Sequence, residues 1–219
     1  MSKLPLRIDL VSDVVCPWCV IGYLRLQRAL SDYRDEFDYS VHWHPFELNP
    51  QMPAEGQNLR EHLAQKYGTT PQQSIEARQR LTDLGADLDF TFNYSDDMRM
   101  YNTFDAHQLL HWAHPYEKQT PLSMRLFADF FGQRKNISDL NVLADAAAAV
   151  GLNRDEALQV LRDQTYAREV RAEEQQIVGQ GIQGVPLFIF NRQYAMSGAQ
   201  EVDTFKQQLR QTLDERDMD

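Results

Sequence analysis

Cysteine is nearly absent: the chain holds two in 219 residues. That excludes a disulfide framework, and a zinc site would need two further ligands of another type. Long apolar runs are missing too, so no stretch approaches the length that crosses a bilayer. Positive charge is in deficit, with 22 Lys and Arg against 32 Asp and Glu and a net charge of −10. That balance argues against nucleic acid or an anionic membrane as the principal partner. Repeats and low-complexity tracts are absent, which sets aside solenoids and disordered arrays. The opening Met1–Asp9 has no signal-peptide core, because Arg7 and Asp9 interrupt it, and the chain reads as cytoplasmic. What is present is an ordinary globular composition, in a chain long enough for one large core or a core with a helical insertion.

The two cysteines stand three apart as Cys16-Pro17-Trp18-Cys19, between a strand-like run and a helical pattern. A thiolate, not a thiol, attacks a disulfide. The first turn of a helix stabilises such an anion through unpaired N–H groups and partial positive charge. Pro17 suits that turn, since the N–H it lacks would go unpaired there. Downstream, Cys19, Tyr23, Leu26, Leu30 and Tyr33 share one helical face. Cys19 is therefore expected in the packed stripe and Cys16 at an exposed helix tip. This asymmetry suits Cys16 as nucleophile and Cys19 as resolving thiol in dithiol–disulfide exchange. Three other readings compete. A structural disulfide over so short a loop would constrain the unfolded chain little. Zinc could use the pair with His107 and His111, although not at zinc-finger spacing. Two inert thiols are the third.

Along the chain, residues 6–12 alternate as a strand, a helix follows to about Tyr33, and Tyr39, Val41 and Trp43 mark one face of a second strand. His42 and His44 point to its other side. This opening is a βαβ unit with parallel strands. From 57 to 180 the patterns are helical: Asn58–Tyr67, Pro71–Leu84, Met98–His114, a Leu122–Phe131 segment, a helix capped by Ser138, and a long helix from Asn153 to about Gly179. Residues 85–97 read as a loop. Val185–Phe190 is nearly all apolar, as in a strand covered on both faces. Tyr194–Met196 pairs back as a hairpin, Ser197-Gly198 opens a final helix, and residues after Asp214 are expected to fray. The outline is βαβ, a large all-helical insertion, then ββα. The expected division is 1–56 plus 181–219 for one domain and 57–180 for the insertion.

Cys-Pro-Trp-Cys on a helix tip, a helical insertion and Gly184-Val185-Pro186 opening a strand together resemble the thioredoxin superfamily. Within it, Ser12–Cys19, Pro45–Pro50, Asn102–His107 and Gly184–Phe188 resemble blocks of the DsbA-like group called FrnE-like. That group is related to 2-hydroxychromene-2-carboxylate isomerases and kappa-class glutathione transferases. The resemblance implies an α/β thioredoxin fold and a protein disulfide oxidoreductase or isomerase. Cys16 would be the nucleophile and Cys19 the resolving thiol. Pro186 would be a cis-proline that exposes the Val185 backbone to a substrate strand. The isomerase and transferase relatives usually carry serine where Cys16 stands. Two thiols therefore favour disulfide exchange over a glutathione-dependent isomerase or transferase acting on an aromatic or polyketide-like molecule.

Substrates would be thiol- or disulfide-containing proteins or small molecules. No metal or organic cofactor is needed, with glutathione as a co-substrate and glutathione or a thioredoxin-like partner as reductant. Trp18 is expected as an apolar platform beside Cys16. Being uncharged, it points to a couple between about −120 mV (DsbA) and about −270 mV (thioredoxin). Asp13 could take a proton from Cys19 or simply cap a turn. Asn49 and Ser197 are weaker candidates for holding substrate. His107, His111 and His114 share a helical face that reads as hydrogen-bonded or surface histidines rather than a metal site. Phe104, Leu110 and Trp112 read as core of the insertion.

Overall fold

A computed structural model describes residues 3–53 and 55–216. Its main sheet has the order β2-β1-β5-β6. The strands are β1 (Leu4–Ser12), β2 (Phe37–Pro45), β5 (Leu187–Phe190) and β6 (Tyr194–Ser197). β1 pairs parallel with β2 and antiparallel with β5, and β5 and β6 form the hairpin. The parallel pair follows from the intervening helix α1 (Pro17–Ser31), which carries the chain back across one face.

Alternation along β1 buries Leu6, Ile8 and Leu10 on that face, where Ile8 registers with Phe190 and Leu10 with Phe188. Gly22 of α1 lies against the Phe188 ring, and a Cβ there would sit 3.0 Å from Phe188 Cζ. The last helix, α9 (Val202–Arg216), lays Phe205 edge-on to Phe188 at 5.0 Å. The opposite face of β5 is only half covered: Leu187 and Ile189 are partly exposed, whereas Phe188 and Phe190 are fully buried. The expectation of a strand covered on both faces is corrected accordingly. α9 begins at Val202 rather than at Ser197-Gly198 and continues past Asp214 to Arg216, while the rest of the segment expected to fray, residues 217–219, lies outside those described.

Between β2 and β5 lie α2 (Leu59–Tyr67), α3 (Pro71–Asp87), α4 (Phe104–Ala113), α5 (Gln119–Phe127), α6 (Leu140–Ala149), α7 (Arg154–Arg162) and α8 (Ala167–Gly179). This segment is helical apart from a two-residue ladder between β3 (Gln57–Asn58) and β4 (Arg99–Met100). β4 occupies part of the expected Met98–His114 helix. The Asn102 side chain accepts from Phe104 N, so α4 starts six residues later than its pattern suggests. The long helix expected after Asn153 is two helices, broken where Gln164 adopts φ 52° and reaches Asp105 and Gln108. Asp139, not Ser138, caps α6, accepting from Asn141 N and Val142 N, while the Ser138 hydroxyl turns to Asn136.

The insertion joins the sheet through α5 and α8. Trp43 of β2 packs against Tyr23 and Phe127, and its indole N–H donates to Thr120 at 2.9 Å. His44, on the opposite side of β2, meets Glu173 of α8.

Candidate active site

Cys16 is the N-cap of α1, with its N–H on Asp13 O at 2.9 Å and Pro17 in the first turn. Cys19, one turn on, comes within 3.3 Å of Cys16, near disulfide distance, and both are free thiols. Cys19 is fully buried, as the stripe implied, but Cys16 is only 3% exposed. The expected exposed tip is corrected: the 185–186 loop covers the sulfur, whose Sγ lies 3.8 Å from Val185 O. The Val185–Pro186 bond is cis, so the resemblance placed this loop correctly from the sequence.

Burial, foremost, and the neighbouring Cys16 push the Cys19 thiol well above its ordinary range. Against this, the Ser12 hydroxyl and the Asp13 backbone favour its thiolate. The Asp13 carboxylate has partners of its own. One oxygen accepts from Leu48 N at 2.7 Å, and the other lies 3.5 Å from His107 Nε2.

Beside Cys16 runs a groove of about 440 Å³. Trp18 and Val185 stand at the dithiol end, and the far wall comes from the insertion through Leu59, Leu81, Tyr94 and Phe131. Trp18 is 38% exposed, with the Arg80 guanidinium 5.9 Å from its ring. Burial, first, and then the Cys16 charge keep Tyr94 a neutral phenol. Lys66 reaches the groove but is tied to Leu48 O and Asn49 Oδ1, each at 2.7 Å. Asn49 therefore lines the groove; Ser197, His42 and His44 do not.

The three histidines of one face separate. His107 is buried against Asp13, His111 lies 3.7 Å from Glu173, and His114 leaves α4 for a 3-10 turn that reaches Gln119. Among the described residues no group of three or more His, Cys, Asp or Glu is arranged to hold a metal ion. Leu110 and Trp112 are core, while Phe104 is partly exposed under the Arg171 guanidinium, 3.6 Å from its ring.

Sequence reasoning missed the polar layer behind the dithiol. His44 bridges Asp9 at 2.8 Å and Glu173 at 2.5 Å, and Arg171 pairs with the buried Glu47 and with Glu174. The available signal was Asp9, an acid in the middle of a strand whose neighbours are apolar.

No helix of the described residues is long and apolar enough to cross a membrane. Residues 7–210 match the family model described as DSBA-like thioredoxin domain. A probable DsbA oxidoreductase from Streptomyces coelicolor is 32% identical, with a TM-score of 0.88 over 96% of this chain and 91% of that one. The uncharacterized protein YwbO of Bacillus subtilis is 28% identical over 160 residues, 73% of this chain and 74% of YwbO. Two solved structures share the fold at lower identity. The cytosolic disulfide reductase DsbM from Pseudomonas aeruginosa with GSH is 16% identical, with a TM-score of 0.65 over 94% and 98% of the two chains. A 2-hydroxychromene-2-carboxylate isomerase is 12% identical, with a TM-score of 0.68 over 97% and 99%. The chain belongs to the DSBA-like thioredoxin domain family and is an enzyme of the DsbA-like oxidoreductase kind.

Proposed function

We propose that the chain is a thiol–disulfide oxidoreductase whose Cys16-Pro17-Trp18-Cys19 pair cycles between dithiol and disulfide. Cys16 attacks a substrate disulfide, forming a mixed disulfide and releasing one substrate thiol. Cys19 then attacks Cys16 Sγ, closes the internal disulfide and releases the second thiol. The observation that carries this reading is the approach of the two sulfurs at the start of α1, with Val185 O 3.8 Å from Cys16. The Val185 and Pro186 backbone aligns an extended substrate beside the sulfur, and Trp18 gives it an apolar platform at the groove mouth.

The two sulfurs suffice for exchange without metal or organic cofactor. Glutathione or a thioredoxin-like partner resets the pair, and a cytoplasmic setting fits a reducing pool of that kind. A neighbour of the same fold was solved with glutathione and is named as cytosolic, which supports both points. Insulin reduction by wild type, Cys16→Ser and Cys19→Ser tests the reading. Activity is expected in wild type alone, and equal rates in all three proteins would refute it.

The groove favours a second reading, in which glutathione and an apolar small molecule meet beside Cys16 for isomerisation or transfer. Its about 440 Å³ and largely apolar walls suit such a body. Activity that survives Cys19→Ser would select it.

A further inference from the structure

Cys19 lies wholly inside the protein, so the charge it bears when the disulfide opens has no direct access to water. Ser12 lies beside the Cys19 sulfur, close enough to favour its thiolate, yet Ser12 Oγ has no aligned hydrogen-bond partner in the protein. Ser12 also borders an internal cavity of about 20 Å³, shared with His107, His44, His111 and Glu173. His107 Nε2 is buried and likewise without an aligned partner, 3.5 Å from Asp13 Oδ1. About 10–15 Å³ of such volume holds one water, given two to four polar partners. Ser12 and His107 supply two, and His111 and Glu173, 36% and 28% exposed, reach the outside.

We propose that the proton taken up and given off by Cys19 travels through the interior: between Cys19 Sγ and His107 Nε2 by way of the Ser12 hydroxyl and one water in this cavity. The proposal rests on the oxidoreductase reading above. In opening, an external thiolate attacks Cys16 Sγ; the new S–S bond forms, the Cys16–Cys19 bond breaks, and its electron pair passes to Cys19. His107 then gives its proton through the water and Ser12 to that sulfur, and regains one from solvent past His111 and Glu173. Closing runs the same path backwards, with neutral His107 as acceptor. His107 acts through Ser12 and is a positioning residue for the proton. Burial pushes its pKa down, but Asp13, Glu174 and Glu47 outweigh burial and raise it, which favours the protonated, donating form. The other charged groups here are Arg171, on Glu47 and Glu174, and across the cavity His44, His111 and Glu173.

The test opens the disulfide of the oxidised full-length protein with dithiothreitol from about pH 5 to about 9, in wild type, Ser12→Ala and His107→Gln. Alkylation of Cys16 in the reduced proteins serves as control. Opening is expected to slow roughly ten- to hundredfold in both variants, because positioned acid–base groups contribute of order 10²–10⁴ and bulk water replaces part of that. The His107 limb of the pH profile is expected to vanish in His107→Gln, while Cys16 alkylation stays within about twofold of wild type. Wild-type opening rates and pH profile in folded Ser12→Ala would overturn the proposal. That variant loses a single oxygen and decides the matter alone if His107→Gln does not fold. A wild type that forms no disulfide would instead sink the oxidoreductase reading, and this relay with it.

Discussion

Raising the pH through the titration of His44 should unfasten the insertion from the sheet. His44 Nε2 holds Asp9 of β1 at 2.8 Å, and Nδ1 holds Glu173 of α8 at 2.5 Å. Burial pushes the imidazole pKa down, but the two carboxylates outweigh burial and lift it from 6.5 to about 9. A folded-state pKa above the unfolded one gives stability that is complete below about pH 6.5 and lost as pH rises through about 9. A difference of about 2.5 units at about 1.4 kcal/mol each sets a ceiling near 3 kcal/mol. Glu173 is 28% exposed and water screens that half of the bridge, so about 2 kcal/mol is expected. Urea unfolding of wild type and His44→Gln, followed from about pH 6 to about 9.5, measures it. Wild type should lose about 2 kcal/mol more than the variant over that range. A gap between the two proteins that stays constant with pH would refute the bridge. On the acid side burial raises the Glu173 pKa, but His111 and His44 bring it from 4.5 down to about 2. The same contacts are therefore kept above about pH 4.5 and lost as pH falls through about 2.

Trp18→Ala should lower kcat/KM for a disulfide substrate severalfold without changing the rate of Cys16 alkylation; unchanged kcat/KM would remove Trp18 from the substrate path. Gly85→Ala should destabilise by about 1–3 kcal/mol through overpacking, because its Cβ would lie 2.6 Å from Phe90 O and 2.5 Å from the Phe92 ring. Unaltered urea unfolding would mean that the 88–92 loop gives way freely. Asp129 is buried and holds Arg125 and Lys135, each at 2.9 Å. Asp129→Ala should cost about 2 kcal/mol, since both cations are one-third exposed and can return to water. A loss below about 0.5 kcal/mol would show that the pairs contribute nothing net.

Whatever is coded locally was legible in the sequence. The dithiol turn, the stripe of α1 as far as Leu30 and the alternation of β1 each need only a few neighbouring residues, and these three stand where the sequence puts them. The cis Val185-Pro186 bond was implied by the family resemblance, and it lies just ahead of β5, which starts at Leu187 rather than at Val185. Boundaries went astray where a distant partner decides them. Arg99–Met100 leaves the helical pattern to pair with Gln57–Asn58, and Gln164 breaks a helix to reach Asp105. The burial of Cys16 was illegible for the same reason, because its cover lies 169 residues away. The polar layer behind the dithiol joins Asp9, Asp13, His44, His107 and Glu173, spread over β1, the turn after it, β2, α4 and α8. A helical-face rule sorts His107 with His111 and His114, yet only tertiary packing puts Asp13 opposite the first.

Trapping decides whether the two sulfurs divide the labour as proposed. Cys19→Ser, incubated with a small aromatic disulfide and with a disulfide-containing protein, should accumulate mixed disulfides that mass spectrometry maps to Cys16. Wild type should release both thiols and end with the Cys16–Cys19 bond closed, and Cys16→Ser should form no adduct. Adducts on Cys19 in Cys16→Ser at the same rate, or no adduct in any of the three proteins, would contradict it.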